Sequence, residues 1–232
     1  ARYAFLVHSL AVVAIFALLY YLIFNHRSEY YYVWQHSNTL MPAEYIFASF
    51  WEGQEGSFLL WSFWHVVLSW FIILRKDSWE GPVMVSVSLV QAFLISMVLG
   101  ITVFGHKIGM NPFILLREHP DMAGLPFLQF PDYLQRIEDG RGLNPLLQNY
   151  WMVIHPPVLF LGFAATVLPF AFAMGGLMTG RVTQWTREAS PWAFFGVMTL
   201  GAGILMGAAW AYEALSFGGF WAWDPVENAS LV

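Results

Sequence analysis

The stretch that decides the fold is YAFLVHSLAVVAIFALLYYLIF, which runs from Tyr3 to Phe24 and contains no Asp, Glu, Lys or Arg. A helix needs about twenty mostly apolar residues to cross the hydrocarbon core of a bilayer, and this run has that length. Besides its tyrosines, its polar side chains are those of His8 and Ser9. The run therefore predicts a membrane-spanning helix.

Other apolar runs of comparable length follow along the chain: Phe58 to Leu74, Val83 to Phe104, Val158 to Met178 and Trp192 to Ala211. In the whole chain of 232 residues, 58% are hydrophobic and 11% are charged. A soluble domain of this size cannot bury so much apolar surface. The predicted fold class is all-α, a polytopic membrane helix bundle with about five transmembrane helices and with interfacial segments on the outer face.

We expect residues 1–232 to form a single membrane domain that is part of a longer protein. Within it, residues 105–157 are predicted to be an outer loop that is too long for a mere connection. Its end, from Leu143 to Trp151, mixes amide and apolar side chains and is predicted to be an interfacial segment. Residues 212–232 form a tryptophan-rich segment.

The basic residues predict the orientation in the membrane. They are dense in three short segments, which contain Arg2, Arg75 with Lys76, and Arg181 with Arg187. They are sparse in the long loops, so the positive-inside rule places the short segments on the cytoplasmic or matrix side. The long loops and the tryptophan-rich segment are then outside.

Charge and cysteine content exclude several functions. A net charge of −5 argues against nucleic acid as a partner. The chain contains no cysteine, which excludes disulfides and thiolate metal sites in it. Any sulfur chemistry must therefore come from a partner.

The tryptophan-rich segment contains Trp221, Trp223 and Asp224 in a row of aromatic and acidic residues. Indole rings are stable at the headgroup level of a membrane, and flat rings side by side can cover a flat conjugated ligand such as a porphyrin. An ordinary aromatic belt is the alternative. Asp224 and Glu227 share a helix face if Pro225 begins a helix with Asp224 as its cap, which we favour over acid–base chemistry.

His155 is followed by Pro156 and Pro157. A proline disfavours helical geometry in the residue before it, and Pro157 suits the first turn of a helix. His155 is therefore predicted to lie outside the helix, just before its outer end. There its imidazole can ligate a haem iron, and the helix start can receive an anionic group such as a propionate. An interfacial histidine bonded to backbone or water is the alternative.

The other histidines are weaker candidates. His8 and His65 fall in apolar runs, where a hydrogen bond to a neighbouring helix is the expected use. Four lie in outer loops and are expected to be solvated: His26, His36, His106 and His119. Gly203 and Gly207 are spaced for close helix packing, with room for a ligand as the alternative.

Three motifs occur in one order: WEGQEGS over Trp51–Ser57, LNPLL over Leu143–Leu147 leading to HPP over His155–Pro157, and WAWDPVENAS over Trp221–Ser230. The acidic residues and Ser57 of the first motif suit the cap of a helix start, although the motif could also close a site against the tryptophan-rich segment. Together the motifs resemble the amino-terminal part of the CcmF family of cytochrome c maturation proteins, which are haem-handling membrane proteins with a tryptophan-rich WWD domain. The last motif is shared with the CcmC and CcsA types, whereas the first two point to CcmF.

The resemblance implies an enzyme, a cytochrome c haem lyase of the synthase type. Such a lyase takes haem b from the chaperone CcmE and attaches its vinyl groups to the cysteines of apocytochrome c. The haem-binding residues it implies are His155, as axial ligand of the iron, with Trp221, Trp223 and Asp224 as the platform. It identifies no catalytic residue in this chain, and it places the ligands of a second b-type haem beyond Val232.

The resemblance also implies CcmH and CcmI-type subunits as partners, beside membrane lipid, and a multi-pass location in the bacterial inner membrane with a periplasmic functional face. The mitochondrial inner membrane is the weaker alternative. A haem delivery subunit of the CcmC type without lyase activity is the second hypothesis, and a structural subunit without haem is the third. Phe217 and Phe220 stand where the family usually has tryptophans, which keeps stacking surface and loses indole N–H donors.

Overall fold

The computed structural model describes residues 1–122, 124–214 and 219–231. Its α-helices are α1 (Arg2–Phe24), α2 (Tyr31–His36), α3 (Ala43–Ala48), α4 (Gln54–Arg75), α5 (Glu80–Leu99), α6 (Tyr150–Thr179), α7 (Trp185–Glu213) and α8 (Pro225–Leu231). An antiparallel hairpin of β1 (Ile101–Val103) and β2 (His106–Ile108) follows α5. In the part described, α1, α4, α5, α6 and α7 are long and apolar enough to cross a membrane. The prediction of a polytopic helical membrane protein is confirmed.

The spanning helices differ in length from the apolar runs that predicted them. All five begin earlier, and the difference is largest for α6, which starts at Tyr150, and α7, which starts at Trp185. Helix α5 also ends earlier than predicted, at Leu99, because Gly100 takes the left-handed conformation with φ +67° that terminates a helix. The predicted loop over residues 105–157 thus contains one strand of the hairpin and the first turns of α6.

The basic segments meet at one end of the bundle. Arg2 at the start of α1 pairs with Glu80 at the start of α5, with 2.6 Å between Nη2 and Oε2. Arg75 at the end of α4 pairs with Glu188 near the start of α7. Exposed ion pairs contribute only about 0–1 kcal/mol each to the free energy of unfolding. These pairs therefore show which helix ends lie together but stabilise the bundle little. Successive spanning helices therefore run in opposite directions through the bundle.

Two apolar clusters hold the spanning helices together. One joins α1 and α4 to the short helices α2 and α3 and includes Leu19, Phe50 and Leu59. The other joins α4, α5 and α6 and includes Val83 and Phe172.

Small residues bring α6 and α7 into close contact. A Cβ at Gly203 would lie 2.8 Å from the Cα of Leu159, and one at Gly162 would lie 2.6 Å from the Cα of Leu200. Both distances are too short for a side chain. The close-packing interpretation of Gly203 is therefore the correct one.

The short helices and the long loop cover the end of the bundle opposite to the ion pairs. The buried hydroxyl of Tyr32 donates to the carbonyl of Phe50 at 2.8 Å and accepts from the N–H of Gly53 at 3.1 Å. The hydroxyl and backbone N–H of Thr39 donate to the carboxylate of Asp139. Side-chain hydrogen bonds of this kind fix loops that have few backbone partners.

Two of the histidines that were predicted to be solvated in outer loops are not solvated, since His36 is half-buried in α2 and His119 is buried. His36 packs on Tyr32, and its Nε2 lies 2.8 Å from Oε2 of Glu52. His119 is 2% exposed and stacks on Tyr31 with 3.4 Å between ring centroids. Stacking on Tyr31 excludes water from the ring of His119, and burial lowers its pKa.

The histidines in apolar runs differ from each other. Nδ1 of His65 donates to the side-chain oxygen of Gln91 in α5 at 3.2 Å, which confirms the predicted bond to a neighbouring helix. The Gln91 amide is oriented by its own donation to the carbonyl of Ser62. Nε2 of His8 is buried and has no partner within the described ranges, so the same prediction for His8 is not confirmed.

Candidate functional site

Helix α6 runs continuously through the His-Pro-Pro sequence. It begins at Tyr150, where the side chain of Asn149 accepts the N–H of Trp151 at 2.9 Å, and it includes both Pro156 and Pro157. His155 therefore lies inside the helix, roughly 8 Å beyond its first residue at 1.5 Å per residue. The prediction that His155 lies off the helix is wrong, and so is the helix start at Pro157 that was to receive a propionate.

A contact from another motif compensates for the hydrogen bond that Pro156 removes from the helix. Pro156 has no N–H, so the carbonyl of Met152 one turn earlier loses its helical partner. The indole Nε1 of Trp51 donates to that carbonyl at 2.9 Å, in a buried environment. The long-range bond satisfies the group that the proline leaves unpaired.

The imidazole of His155 is held in one tautomer. Its Nδ1 lies 2.8 Å from the carbonyl oxygen of Gly203 in α7, and because a carbonyl only accepts, Nδ1 carries the proton. Nε2 then has a free lone pair. A second ring-nitrogen bond of this kind is the usual way in which metal-ligating histidines are oriented.

The tryptophan-rich segment is fixed by the start of α8. The Asp224 carboxylate accepts the N–H groups of Val226 at 2.7 Å and Glu227 at 2.8 Å. The Glu227 carboxylate reaches back to the N–H groups of Ala222 at 2.8 Å and Asp224 at 3.4 Å. This is a capping box, so the predicted capping role of Asp224 is confirmed.

The rings of the segment face different directions. Trp221 and Trp223 meet edge to face with 6.2 Å between centroids. Trp223 has φ +59°, which is costly for a bulky residue, and its residue surface is 71% exposed. Phe220 stacks on Tyr212 at 4.3 Å. Phe217, the other expected platform ring, lies outside the described residues, as do the other residues of 215–218.

His155, Trp221 and Asp224 line one cavity of about 220 Å³ between α6, α7 and α8, together with Gly207 and Trp210. Trp223 is not part of its lining. A second, more apolar cavity of about 610 Å³ shares Ile204 and Ser230 with the first as lining residues. The structure therefore brings three of the four predicted site residues together and directs the fourth to the surface.

Trp210 is a lining residue that the sequence interpretation missed. Its ring centroid lies 5.9 Å from that of His155. The indole Nε1 atoms of Trp210 and Trp221 are buried, and neither has a partner among the residues described. A signal for Trp210 was present, because positions 203, 207 and 210 follow the helical spacing of four and three residues and so share one face.

The WEGQEGS motif is packed against its neighbours and does not line the cavity. Ser57 does not cap α4; its hydroxyl donates to the carbonyl of Trp51 at 2.7 Å, and Gly53 occupies the cap position. A Cβ at Gly56 would lie 1.6 Å from the carbonyl oxygen of Phe50, so this position requires glycine. Within the described ranges no hydrogen bond joins the motif to residues 219–231. Its contact with the site is made through α6.

Comparison with known proteins places the chain in a family. The family model described as "Cytochrome C assembly protein" matches residues 51–232. CcmF of Escherichia coli strain K12 is 36% identical over 202 residues, which cover 87% of this chain and 28% of that protein. CcmF of Haemophilus influenzae is 35% identical over 218 residues, which cover 94% of this chain and 31% of that protein.

A solved structure gives the same result for the fold. The structure titled "Cytochrome c Heme Lyase CcmF" superposes with a TM-score of 0.72 at 26% identity, over 100% of this chain and 33% of that one. The chain thus spans about a third of the length of these relatives. The motifs over residues 51–230, the helical membrane architecture and these similarities agree, and the chain belongs to the cytochrome c assembly protein family, among relatives of the CcmF type.

Proposed function

We propose that this chain forms a haem-receiving part of a cytochrome c haem lyase, with haem as the substrate. His155 would ligate the iron through Nε2. Trp221, Trp223 and Asp224 would form the platform, in which Asp224 fixes the backbone that carries the rings. The observation that supports this most directly is that His155, whose Nδ1 is already bonded to the carbonyl of Gly203, lines the same cavity as Trp221.

The residues present fit a haem in two respects. A neutral imidazole with its Nδ1–H bonded to a carbonyl is the form that ligates iron. The buried indole N–H groups of Trp210 and Trp221 suit a ligand with hydrogen-bond acceptors. The cavity of about 220 Å³ lies below the usual range of small-molecule pockets, about 300–1,000 Å³, so it would enclose one edge of the macrocycle. The exposed ring of Trp223 would then contact the part outside.

In the proposed reaction, the thiol S–H of a substrate cysteine adds across a vinyl C=C of the haem. A C–S bond forms, and the hydrogen ends on the other vinyl carbon, so no oxidant or reductant is consumed in that step. Haem supplies the vinyl groups and apocytochrome c supplies the thiols. What this chain contributes is positioning, because holding two reactants in a fixed geometry lowers the barrier of a bimolecular step.

The proposed setting is the periplasmic face of the bacterial inner membrane. The basic residues gathered at the opposite end of the bundle support that orientation. The proposed partners are the haem chaperone CcmE, CcmH and CcmI-type subunits, and apocytochrome c. The likeness to CcmF proteins favours a lyase over a delivery subunit of the CcmC type.

The test is His155→Ala in the full-length protein, with CcmE coexpressed and the variant purified in detergent. We expect the Soret absorbance due to this site, and the covalent attachment of haem to apocytochrome c, to be lost while the protein still inserts. His106→Ala, at an exposed histidine of the hairpin, is the matched control and should behave as the unchanged protein. Normal attachment in the His155→Ala variant would refute the role of His155, and haem transfer without thioether formation would favour a delivery subunit.

A further inference from the structure

We infer that Trp51 is a positioning residue for His155, acting through the carbonyl group that Pro156 leaves without a helical partner. This inference deepens the proposed function and rests on it where haem is concerned. It joins the WEGQEGS motif to the His-Pro-Pro sequence by one buried hydrogen bond, from Nε1 of Trp51 to the carbonyl of Met152.

The need for this bond follows from the chain chemistry. Met152 is three residues before His155, so its carbonyl belongs to the helical turn that carries the imidazole. A proline at 156 removes the N–H that would close this turn, and its ring presses on the same carbonyl. Met152 is 3% exposed, which leaves no access for water as a replacement donor. Without Trp51 a buried carbonyl would be unsatisfied one turn from the site.

Trp51 is held firmly enough to serve as a support. It is 4% exposed, and its ring meets that of Phe47 edge to face with 5.0 Å between centroids. The carbonyl of Trp51 accepts the hydroxyl of Ser57, and the carbonyl of its neighbour Phe50 accepts the hydroxyl of Tyr32. The turn that carries Trp51 is thus fixed on the backbone and on the side chain.

On its other side His155 meets α7. Nδ1 donates to the carbonyl of Gly203, and the ring lies against Gly207. The hydrogen bond of 2.8 Å to Gly203 and the close contact with Gly207 fix the position of the imidazole relative to α7. A shift of the α6 turn would therefore break one of these two contacts. The position of His155 therefore depends on Trp51, which acts through the backbone of α6, and on two glycines of α7.

The test compares Trp51→Phe with the double variant Trp51→Phe/Pro156→Ala in the full-length protein. Trp51→Phe keeps an aromatic ring but removes the N–H together with part of the indole volume, and Pro156→Ala supplies a backbone N–H that can bond the carbonyl of Met152 within the helix. We expect Trp51→Phe to weaken haem binding about tenfold, which is the usual scale for leaving one buried polar group unsatisfied. The double variant Trp51→Phe/Pro156→Ala should bind haem more tightly than Trp51→Phe alone. Trp64→Phe, which removes a buried indole N–H that has no partner in the described part of the chain, is the matched control.

A second readout does not depend on haem. The rate at which diethyl pyrocarbonate modifies Nε2 of His155, followed by mass spectrometry of the haem-free protein, reports the position of the ring. We expect it to change in Trp51→Phe, to return toward the unchanged rate in the double variant and to stay constant in Trp64→Phe. One outcome is that neither the unchanged protein nor any variant binds haem while the pattern of modification rates holds. In that case the proposed function fails and the positioning role of Trp51 stands.

The inference is overturned if Trp51→Phe behaves as Trp64→Phe in both readouts, or if the double variant is no better than Trp51→Phe. Should Trp51→Phe fail to accumulate, recovery of folded protein in the double variant supports the inference. Failure of both to accumulate overturns it, because Trp51 would then act through its bulk and not through its N–H.

Discussion

The imidazole of His155 lies directly on the backbone of Gly207, where a Cβ would be 2.7 Å from Cε1 and 3.2 Å from Nε2 of the ring. No side chain fits in that space without displacing the imidazole. Position 207 thus determines where the free ring nitrogen can be.

Gly207→Ala is therefore expected to displace His155 and to weaken haem binding by the full-length protein. Overpacking costs about 1–3 kcal/mol, which corresponds to roughly 5- to 150-fold in affinity. The measurement is a haem titration followed at the Soret band. Gly201→Ala lies on the same helix with open space around its Cβ and should bind haem as the unchanged protein does. Equal affinities for the two variants would contradict the prediction.

Asp224 offers a way to separate capping from charge. Asn caps helices about as well as Asp does, whereas Ala does not, and loss of a cap costs about 0.5–2 kcal/mol. If the carboxylate serves to fix the backbone of the tryptophan-rich segment, Asp224→Asn should retain haem binding and Asp224→Ala should lose part of it. Hydrogen exchange of the amides of Val226 and Glu227 measures the cap itself. Loss of binding in Asp224→Asn, with slow exchange preserved, would show that the negative charge is what matters.

The membrane helices could be predicted because bilayer thickness requires a long apolar run, whatever its neighbours are. Their ends could not be predicted from hydropathy alone, because α6 and α7 continue as helices beyond the apolar runs, to Tyr150 and Trp185. Gly100 did carry a local signal for the end of α5, since glycine is the usual residue at a left-handed helix terminus.

The site could be predicted only in part. The residue types at 155, 221 and 224 indicated that these residues lie at one site, and the helix cap at Asp224 followed from its spacing to Glu227. The position of His155 did not follow, because the local preference imposed by Pro156 is overridden with the help of the Trp51 indole, a donor 101 positions before its acceptor Met152. Contacts of that kind depend on how helices pack, and a single sequence does not display them.

The outer loop is expected to lose stability in weakly acidic solution because of His119. Burial lowers the pKa of this ring, the Asp121 carboxylate opposes the shift, and Lys107 reinforces it. Below about pH 6.5 the unfolded loop takes up a proton that the folded loop does not, so stability falls as pH falls toward the folded pKa. Hydrogen-exchange protection factors for residues 116–133 should therefore be lower at pH 5.5 than at pH 7.5.

The control for this effect is His119→Gln, which keeps a polar planar side chain without a titrating group. Its protection factors should be lower than those of the unchanged protein at pH 7.5, because the stacking with Tyr31 is weakened, but they should be nearly independent of pH. A pH dependence that is unchanged in His119→Gln would assign the effect to another group.

The orientation of the bundle can be tested with single cysteines, because the chain has none of its own. Leu40, between α2 and α3, is 89% exposed at the end that carries the site, and Val182, between α6 and α7, is exposed at the end that carries the ion pairs. The 30 residues of α6 extend about 45 Å, enough to cross a membrane, so the two positions lie on opposite sides. The positive-inside rule predicts that a membrane-impermeant maleimide labels Leu40→Cys in intact spheroplasts and labels Val182→Cys only after lysis. The reverse pattern would place His155 and Trp221 at the cytoplasmic face, where the proposed attachment of haem to an exported apocytochrome would have no access to its substrate.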